Sequence, residues 1–79
     1  MGEQRDATRR RTFKAGTIEF GGGGIDCIVK NLSETGAQLE VVSPLYIPDR
    51  FTLFILSDQF KQLCRVVWKR EKRIGVRFE

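Results

Sequence analysis

Residues 25–42 read IDCIVKNLSETGAQLEVV, and this stretch decides the fold because it contains two strand patterns joined by a short polar segment. Apolar and polar side chains alternate in both patterns, residues 25–30 and residues 37–42. The apolar members are Ile25, Cys27 and Val29 in the first pattern and Ala37, Leu39 and Val41 in the second. Alternation with a period of two is typical of strands that bury one face. The stretch therefore predicts two neighbouring strands, each with one face in a core.

Four more strand patterns surround this pair, at residues 12–20, 51–56, 60–69 and 73–79. Residues 51–56 are apolar on both faces, which is typical of a central strand. In the longest pattern the alternation puts Cys64, Val66 and Trp68 on one face, and we expect Trp68 to lie in the core. The four glycines of residues 21–24 predict a flexible hairpin loop. No segment has the 3.6-residue apolar period of a helix, so the sequence predicts an all-β fold, a small antiparallel β-barrel of six strands.

The size and charge of the chain limit what it can do. Its 79 residues are enough for one small domain, and its formal net charge of +4 favours an anionic partner such as a nucleotide, a nucleic acid or an acidic membrane. The basic residues crowd residues 69–73 and the N-terminus, where they are Arg5, Arg9, Arg10, Arg11 and Lys14. Residues 1–11 are polar and charged with almost no apolar anchor. We therefore predict a flexible Arg-rich arm over residues 1–11 and a barrel over residues 12–79.

The cysteine and histidine content argues against metal binding and catalysis. The chain has two cysteines, Cys27 and Cys64, and no histidine, so the usual Cys/His zinc sites cannot form. Both cysteines lie in apolar strand patterns, where we expect buried, reduced thiols and no metal or cofactor. Ser33 and the cysteines have no recognisable activating partner, so we do not expect an enzyme. Without the apolar core of a signal peptide or a run long enough to span a bilayer, we expect a cytoplasmic protein with no membrane insertion.

Two short motifs carry the candidate chemistry. Arg5 and Arg9 form an RxxxR pair in the arm, and guanidinium groups can fork onto phosphate oxygens and the guanine O6/N7 edge. Asn31, Ser33 and Gly36 form an NxSxxG turn, in which the two polar side chains could meet a nucleotide and the glycine permits a close approach. Each motif also has a plainer interpretation. RxxxR could belong to a solvated basic tail, and NxSxxG could do no more than stabilise its own turn.

In this order and spacing, the two motifs resemble the signature of the PilZ domain, a bacterial receptor for the second messenger cyclic di-GMP. The stretches GAQL at residues 36–39 and IGVRF at residues 74–78 are also similar to strands of that family, so the resemblance covers nearly the whole chain. It implies a six-stranded antiparallel barrel in which arginines of the arm hold the phosphates and guanine edges of the ligand. The turn would contact a guanine from the barrel surface. The ligand-binding residues that it implies are Arg5, Arg9, Arg10, Asn31, Ser33 and Gly36.

The resemblance further implies signal transduction as the role of the domain. Binding of cyclic di-GMP would order the arm over the barrel, and the change would reach an unknown downstream protein that controls motility, biofilm formation or the cell surface. Two alternatives stay open. A small basic barrel could instead bind RNA or single-stranded DNA, although such proteins need exposed aromatic side chains for base stacking, and those expected here point inward. The domain could also serve as a protein-interaction adaptor that needs no ligand.

Overall fold

The computed structural model describes the backbone of residues 9–79 and the side chains of residues 13–79. Within these bounds it contains six strands and a single 3₁₀ turn, Leu56–Asp58. The strands are β1 Arg9–Phe20, β2 Gly23–Ser33, β3 Gly36–Glu40, β4 Arg50–Ile55, β5 Phe60–Arg70 and β6 Arg73–Phe78. Neighbouring strands are antiparallel and close into a barrel in the order β1-β2-β3-β6-β5-β4. This confirms the predicted fold, an all-β antiparallel barrel of six strands.

Alternation along the strands builds the core of the barrel, because each strand contributes inward apolar side chains at every second position. The buried side chains are Ile18, Cys27, Val29, Leu39, Val41, Ile47, Phe51, Leu53, Ile55, Cys64, Ile74 and Val76. Among residues 13–79, no polar or charged residue belongs to this buried set. The inward faces predicted for residues 25–30 and 37–42 are therefore confirmed. Strand β4 pairs with β1 on one side and β5 on the other, as its apolar composition predicted.

The β1–β2 hairpin is tighter than the predicted four-glycine loop. Only Gly21 and Gly22 form the turn, with φ of 58° and 81°, while Gly23 and Gly24 already belong to β2. Two consecutive residues with positive φ suit the right-handed twist of a hairpin, and glycine adopts that backbone without steric cost. The second pair of glycines therefore extends the strand.

Strand β1 begins at Arg9, three residues before the start predicted from the alternation. Its backbone pairs with β2 at Arg9, Arg10 and Arg11, and the register then shifts between Arg11 and Lys14. Beyond this irregularity, a charged segment continues the backbone hydrogen bonding between β1 and β2. Its side chains do not alternate between apolar and polar, so the sequence pattern did not reveal this part of the strand. Residues 1–8, the rest of the predicted arm, lie outside the described residues.

Trp68 corrects the predicted inward face of β5. The pairing of β5 with β6 shifts register between Val66 and Trp68, so the alternation that holds for Cys64 and Val66 does not continue to Trp68. The Trp68 side chain lies on the outer surface, 38% exposed, with its indole over Gly75. A Cβ at Gly75 would overlap the indole ring, so the missing side chain makes room for it. The prediction of a core tryptophan was wrong.

The strand directions divide the connections between two ends of the barrel. One end holds the start of β1, the β2–β3 turn at residues 34–35 and the 3₁₀ turn, and we call it the motif end. The opposite end holds the β1–β2 turn, the β3–β4 loop at residues 41–49 and the β5–β6 turn at residues 71–72, and we call it the loop end. The NxSxxG segment therefore lies at the same end as the first residues of β1.

Candidate ligand site

Ser33 organises the β2–β3 turn through its hydroxyl group. Its Oγ accepts hydrogen bonds from the backbone N–H groups of Thr35 and Gly36, each at 3.2 Å, and lies 3.2 Å from the Gly36 carbonyl oxygen, to which it donates. Serine favours such turns because its short side chain reaches backbone groups two and three residues ahead. The backbone of the turn is tied to β6 as well, because the Phe78 N–H donates to the Thr35 carbonyl at 2.8 Å. The turn is therefore fixed from within and from its neighbour.

Gly36 is required by a close approach of two strands. A Cβ built at this position would overlap the carbonyl oxygen of Val76 in β6. Its backbone pairs with Arg77, so a larger residue would have to separate β3 from β6 at the motif end. The predicted role of Gly36 in shaping the turn thus has a steric basis, although no contact with a ligand follows from it.

A row of outward-facing positions crosses four strands beside this turn. The register pairs Asn31 of β2 with Gln38 of β3, Gln38 with Gly75 of β6, and Gly75 with Trp68 of β5. The Asn31 amide donates from Nδ2 to Gln38 Oε1 at 2.9 Å, which orients both side chains. Among the described residues, none donates a hydrogen bond to the side-chain oxygen Oδ1 of Asn31. Polar amides thus lie at one side of the row and an aromatic ring at the other, with the ring packed over the backbone of Gly75.

This row and the turn line a cavity of about 310 Å³ on the outside of the barrel. Its lining includes Asn31, Ser33, Gly36, Gln38, Trp68 and Arg77. The volume is at the lower end for small-molecule sites, and the lining combines an aromatic surface, amides and a guanidinium group. Such a set can stack on a base, hydrogen-bond to its edge and neutralise a phosphate. The arrangement suits a nucleotide.

The structure describes only part of the arginine motif, the backbone of Arg9, and not Arg5, which lies outside the described residues. The backbone of Arg9 pairs with Ser33, and that of Arg10 pairs with Leu32, so β1 runs directly beside the NxSxxG segment. An ion pair between Lys14 Nζ and Asp58, at 2.6 Å, ties β1 to the 3₁₀ turn at the same end and lowers the pKa of Asp58 through its hydrogen bond. Of the predicted site residues, Asn31, Ser33 and Gly36 line one cavity, and the backbone of Arg9 and Arg10 lies alongside them.

Sequence reasoning missed most of the other residues that line the cavity, among them Gln38, Trp68 and Arg77. Arg77 could have been found, because it alternates with the inward Val76 and Phe78 and must face outward on the strand after the turn. Gln38 was predicted to face outward but was not linked to the site. Trp68 was assigned to the core, because the alternation along β5 does not reveal the register shift that turns its side chain outward.

The two cysteines are free and buried in the core. Burial raises the pKa of Cys27 to about 12 and that of Cys64 to about 11, and nearby Asp26 adds to the shift of Cys27. A nucleophilic cysteine needs a lowered pKa and some exposure, and both thiols have the opposite properties.

A family model described as the PilZ domain matches residues 3–79 of the chain. The chain belongs to the PilZ family. The match extends over almost its full length and confirms the resemblance stated from the two motifs. No curated protein matches the chain closely enough to add a second comparison.

PilZ domains are binding domains, and the family is known as a receptor for cyclic di-GMP. The cavity of this PilZ domain lies at the NxSxxG motif that led to the family. Across the described part of the domain, no group of three or more His, Cys, Asp or Glu residues could hold a metal ion. Nor does that part contain a helix long and apolar enough to cross a membrane.

Proposed function

We propose that this PilZ domain binds cyclic di-GMP in the cavity beside the β2–β3 turn. The observation that carries the proposal is the convergence of Asn31, Ser33, Trp68 and Arg77 on one cavity, with the backbone of Arg9 paired to Ser33. Cyclic di-GMP is a compact dianion with two guanine bases, so it needs cations, hydrogen-bonding groups and a stacking surface in a small volume. The cavity and the adjoining start of β1 offer all three.

Each group has a role that follows from its chemistry. The Asn31 and Gln38 amides, already oriented by their mutual hydrogen bond, present donor and acceptor atoms to a guanine edge. The Trp68 indole provides a stacking surface, and the Arg77 guanidinium group provides a charge for a phosphate. Arg5, Arg9 and Arg10 supply further guanidinium groups from the motif side. Ser33 and Gly36 act mainly through the turn, which holds the backbone close to the ligand.

The domain acts in this proposal as a cytoplasmic receptor and adaptor, with no catalytic step. Ligand binding orders the N-terminal segment against the motif end, because its arginines gain phosphate partners there. Ordering a charged segment lowers net affinity but produces a large local change of shape that a downstream protein can detect. The output would be of the motility, biofilm or cell-surface kind that the family resemblance implies.

A calorimetric titration with cyclic di-GMP at physiological salt, with GTP as the control nucleotide, tests the proposal. Trp68 is the single tryptophan of the chain, so its fluorescence gives a second readout at the cavity itself. We expect micromolar or tighter binding with integral stoichiometry, a change in Trp68 fluorescence, and no comparable binding of GTP. Absence of both heat and fluorescence change at high ligand concentration would refute the proposal.

Variants of the arginines identify the residues that bind. Arg9→Ala removes charge-assisted hydrogen bonds worth about 1.5–3 kcal/mol each, so affinity should fall about tenfold or more. Arg50→Ala is the matched control, because it removes the same charge from a side chain that pairs with Glu79 away from the cavity. Equal affinity of Arg9→Ala and wild type would remove Arg9 from the site.

The exposure of Trp68 gives the nucleic-acid alternative one supporting observation, because base stacking needs an accessible aromatic ring. Salt dependence separates the two functions. Binding of an RNA or single-stranded DNA oligonucleotide through many phosphates weakens steeply with salt, whereas a compact dianion releases few counterions. A shallow salt dependence with cyclic di-GMP, and no competition by an oligouridylate, would favour the receptor.

A further inference from the structure

The loop end of the barrel carries an apolar projection that the proposed ligand site does not use. Val42, Leu45 and Tyr46 of the β3–β4 loop are 85%, 78% and 82% exposed. Val42 lines a shallow groove beside Lys72. Leu45 and Tyr46, which are neighbours at the tip of the loop, have little protein around them and project from the surface. Two adjacent large apolar side chains in water are unfavourable and indicate a contact with another surface.

The loop is held in place, and this keeps its apolar side chains outside. Ile47 is buried in the core and acts as an anchor, and its carbonyl accepts a hydrogen bond from Lys69 Nζ at 2.7 Å. At the start of the loop, the Val41 N–H donates to the Lys72 carbonyl at 2.8 Å. At its end, the Val66 N–H donates to the Asp49 carbonyl at 2.7 Å. A loop without these bonds could fold its apolar side chains back onto the barrel, whereas this one presents them.

The same bonds bring a cationic turn against the loop. Residues 69–73 contain four basic residues, Lys69, Arg70, Lys72 and Arg73, and one acidic residue, Glu71, which gives this segment a formal charge of +3. Asp49 at the base of the loop lowers the combined charge of the loop and turn to +2. Among residues 13–79, no carboxylate forms an ion pair with Arg70, Lys72 or Arg73. An apolar tip thus stands beside cations that have no carboxylate partner within this part of the chain.

We propose that the loop end docks on the surface of an anionic lipid membrane, with Leu45 and Tyr46 in the headgroup region and Arg70 and Lys72 on the lipid phosphates. Peripheral membrane-binding elements combine an apolar face that enters the interface with basic residues that attract anionic lipids. Tyrosine suits this depth because its ring is apolar and its hydroxyl remains hydrated. A protein partner would need an acidic cavity matched to the projection, whereas an anionic bilayer offers both properties anywhere on its surface.

The placement leaves the motif side of the candidate ligand site accessible. The β2–β3 turn and the β3–β4 loop lie at opposite ends of the barrel, whereas Trp68, at the other side of the cavity, is two residues from Arg70. The domain would rest on the membrane surface by its loop end and span nothing. Docking of this kind needs both the apolar and the cationic contributions, because each is weak alone.

Co-sedimentation with sucrose-loaded vesicles tests the proposal. The full chain should bind vesicles of equal parts phosphatidylglycerol and phosphatidylcholine, and should not bind vesicles of phosphatidylcholine alone. The double variant Arg70→Gln/Lys72→Gln should weaken binding about thirtyfold, since each basic residue near an anionic surface contributes about 1 kcal/mol. The double variant Leu45→Ser/Tyr46→Ser should weaken it tenfold or more, because two apolar side chains no longer leave water.

A matched control comes from the motif end. Leu56, 71% exposed, lies in the 3₁₀ turn, and the exposed Lys61 follows it, so the double variant Leu56→Ser/Lys61→Gln removes one apolar and one basic side chain away from the loop. It should leave vesicle binding within about twofold. Equal losses from control and loop-end variants would overturn the proposal, as would equal binding to the two vesicle types. A failure of the full chain to sediment with either type would overturn it too, and would leave the projection to a protein partner.

Depth of insertion separates docking from simple charge attraction. The variant Trp68→Phe/Tyr46→Trp places the single tryptophan at the tip of the loop. Brominated acyl chains in the phosphatidylglycerol vesicles should quench its fluorescence, because the side chain enters the interface. Sedimentation without quenching would mean adsorption through charge alone, by the N-terminal arginines or the turn, and would overturn the proposal.

Discussion

Two connections of different character border strand β3: a short turn with polar side chains and a longer loop with exposed apolar side chains. The β2–β3 turn has two residues, and the Ser33 hydroxyl accepts hydrogen bonds from backbone groups on its far side. The β3–β4 loop has nine residues, is held at both ends, and turns three large apolar side chains to solvent. The turn holds polar and backbone groups in a fixed position for a small ligand, whereas the loop holds an apolar tip in place for a surface. Rigidity in both cases comes from backbone hydrogen bonds to a neighbouring strand or turn.

The largest effect expected from breaking the turn comes from Gly36→Ala. The added methyl group would overlap the Val76 carbonyl and force β3 and β6 apart, at a cost of about 3 kcal/mol of unfolding free energy. For a domain of this size, that corresponds to a fall in Tm of roughly 12 °C or more in thermal unfolding followed by circular dichroism. Gly23→Ala is the matched control, because the nearest atom to its new Cβ, the Phe20 carbonyl oxygen, is 3.9 Å away. Similar Tm values for the two variants would contradict the close approach at Gly36.

The core that supports both connections should lose stability at alkaline pH. Cys27 and Cys64 have a pKa of about 12 and about 11 in the folded chain, against an ordinary value of 9.0. Above pH 9 the unfolded chain releases these protons while the folded chain keeps them, so unfolding becomes easier as pH rises from 9 towards 11. At pH 10 the loss is about 1.4 kcal/mol for each thiol, relative to neutral pH.

Urea unfolding at pH 8 and pH 10 measures this loss. Cys64→Ala should have a smaller pH dependence than wild type by about half, since one of the two titrating thiols is gone. Its lower stability at pH 8, caused by the cavity, does not enter the comparison of the two pH values. An unchanged pH dependence in Cys64→Ala would show that other groups dominate the alkaline loss.

Substitution of one serine in the turn and one in the loop compares the two connections most directly. Ser33→Ala removes the acceptor for the Thr35 and Gly36 N–H groups and should lower the unfolding free energy by about 1 kcal/mol. It should also weaken binding of cyclic di-GMP, because the turn beside the cavity loses its internal support. Ser43→Ala removes one longer bond, 3.4 Å from the Leu45 N–H, on an exposed loop, and should cost less than about 0.5 kcal/mol. Urea denaturation of both variants checks the difference, which equal losses would contradict.

The sequence predicted the barrel and the turn that borders the candidate site, because both depend on local patterns. Alternation at Ile25, Cys27 and Val29 follows from the pleat of a strand, and the NxSxxG turn follows from the short reach of a serine hydroxyl. Trp68 was misplaced because a register shift depends on how β5 pairs with β6, which one strand alone does not encode. The extension of β1 to Arg9 was missed for a related reason. Backbone pairing with β2 continues there although the side chains carry no alternation.

The exposure of side chains in the β3–β4 loop was harder still to predict, because apolar residues such as Leu45 and Tyr46 are usually buried. Leu45, Tyr46 and Ile47 are neighbours of similar hydrophobicity, yet Ile47 is buried and the other two are exposed. Two hydrogen bonds direct the backbone of the loop, from Lys69 Nζ to the Ile47 carbonyl and from the Val41 N–H to the Lys72 carbonyl. Lys69 and Lys72 are distant from the loop in the sequence, so the exposure of the loop follows from tertiary contacts.

The smallest effect is expected from Leu45→Ser/Tyr46→Ser, which should change the unfolding free energy by no more than about 0.5 kcal/mol. Both side chains are solvated in the folded and unfolded chain, so their removal costs little packing. Ile47→Ser in the same loop is the contrasting variant and should cost several kcal/mol, since it leaves a cavity and a hydroxyl in the core. Urea denaturation of the two variants compares them directly. A large loss from the double variant would mean that Leu45 and Tyr46 stabilise the barrel, and the division between a structural turn and a surface-binding loop would then fail.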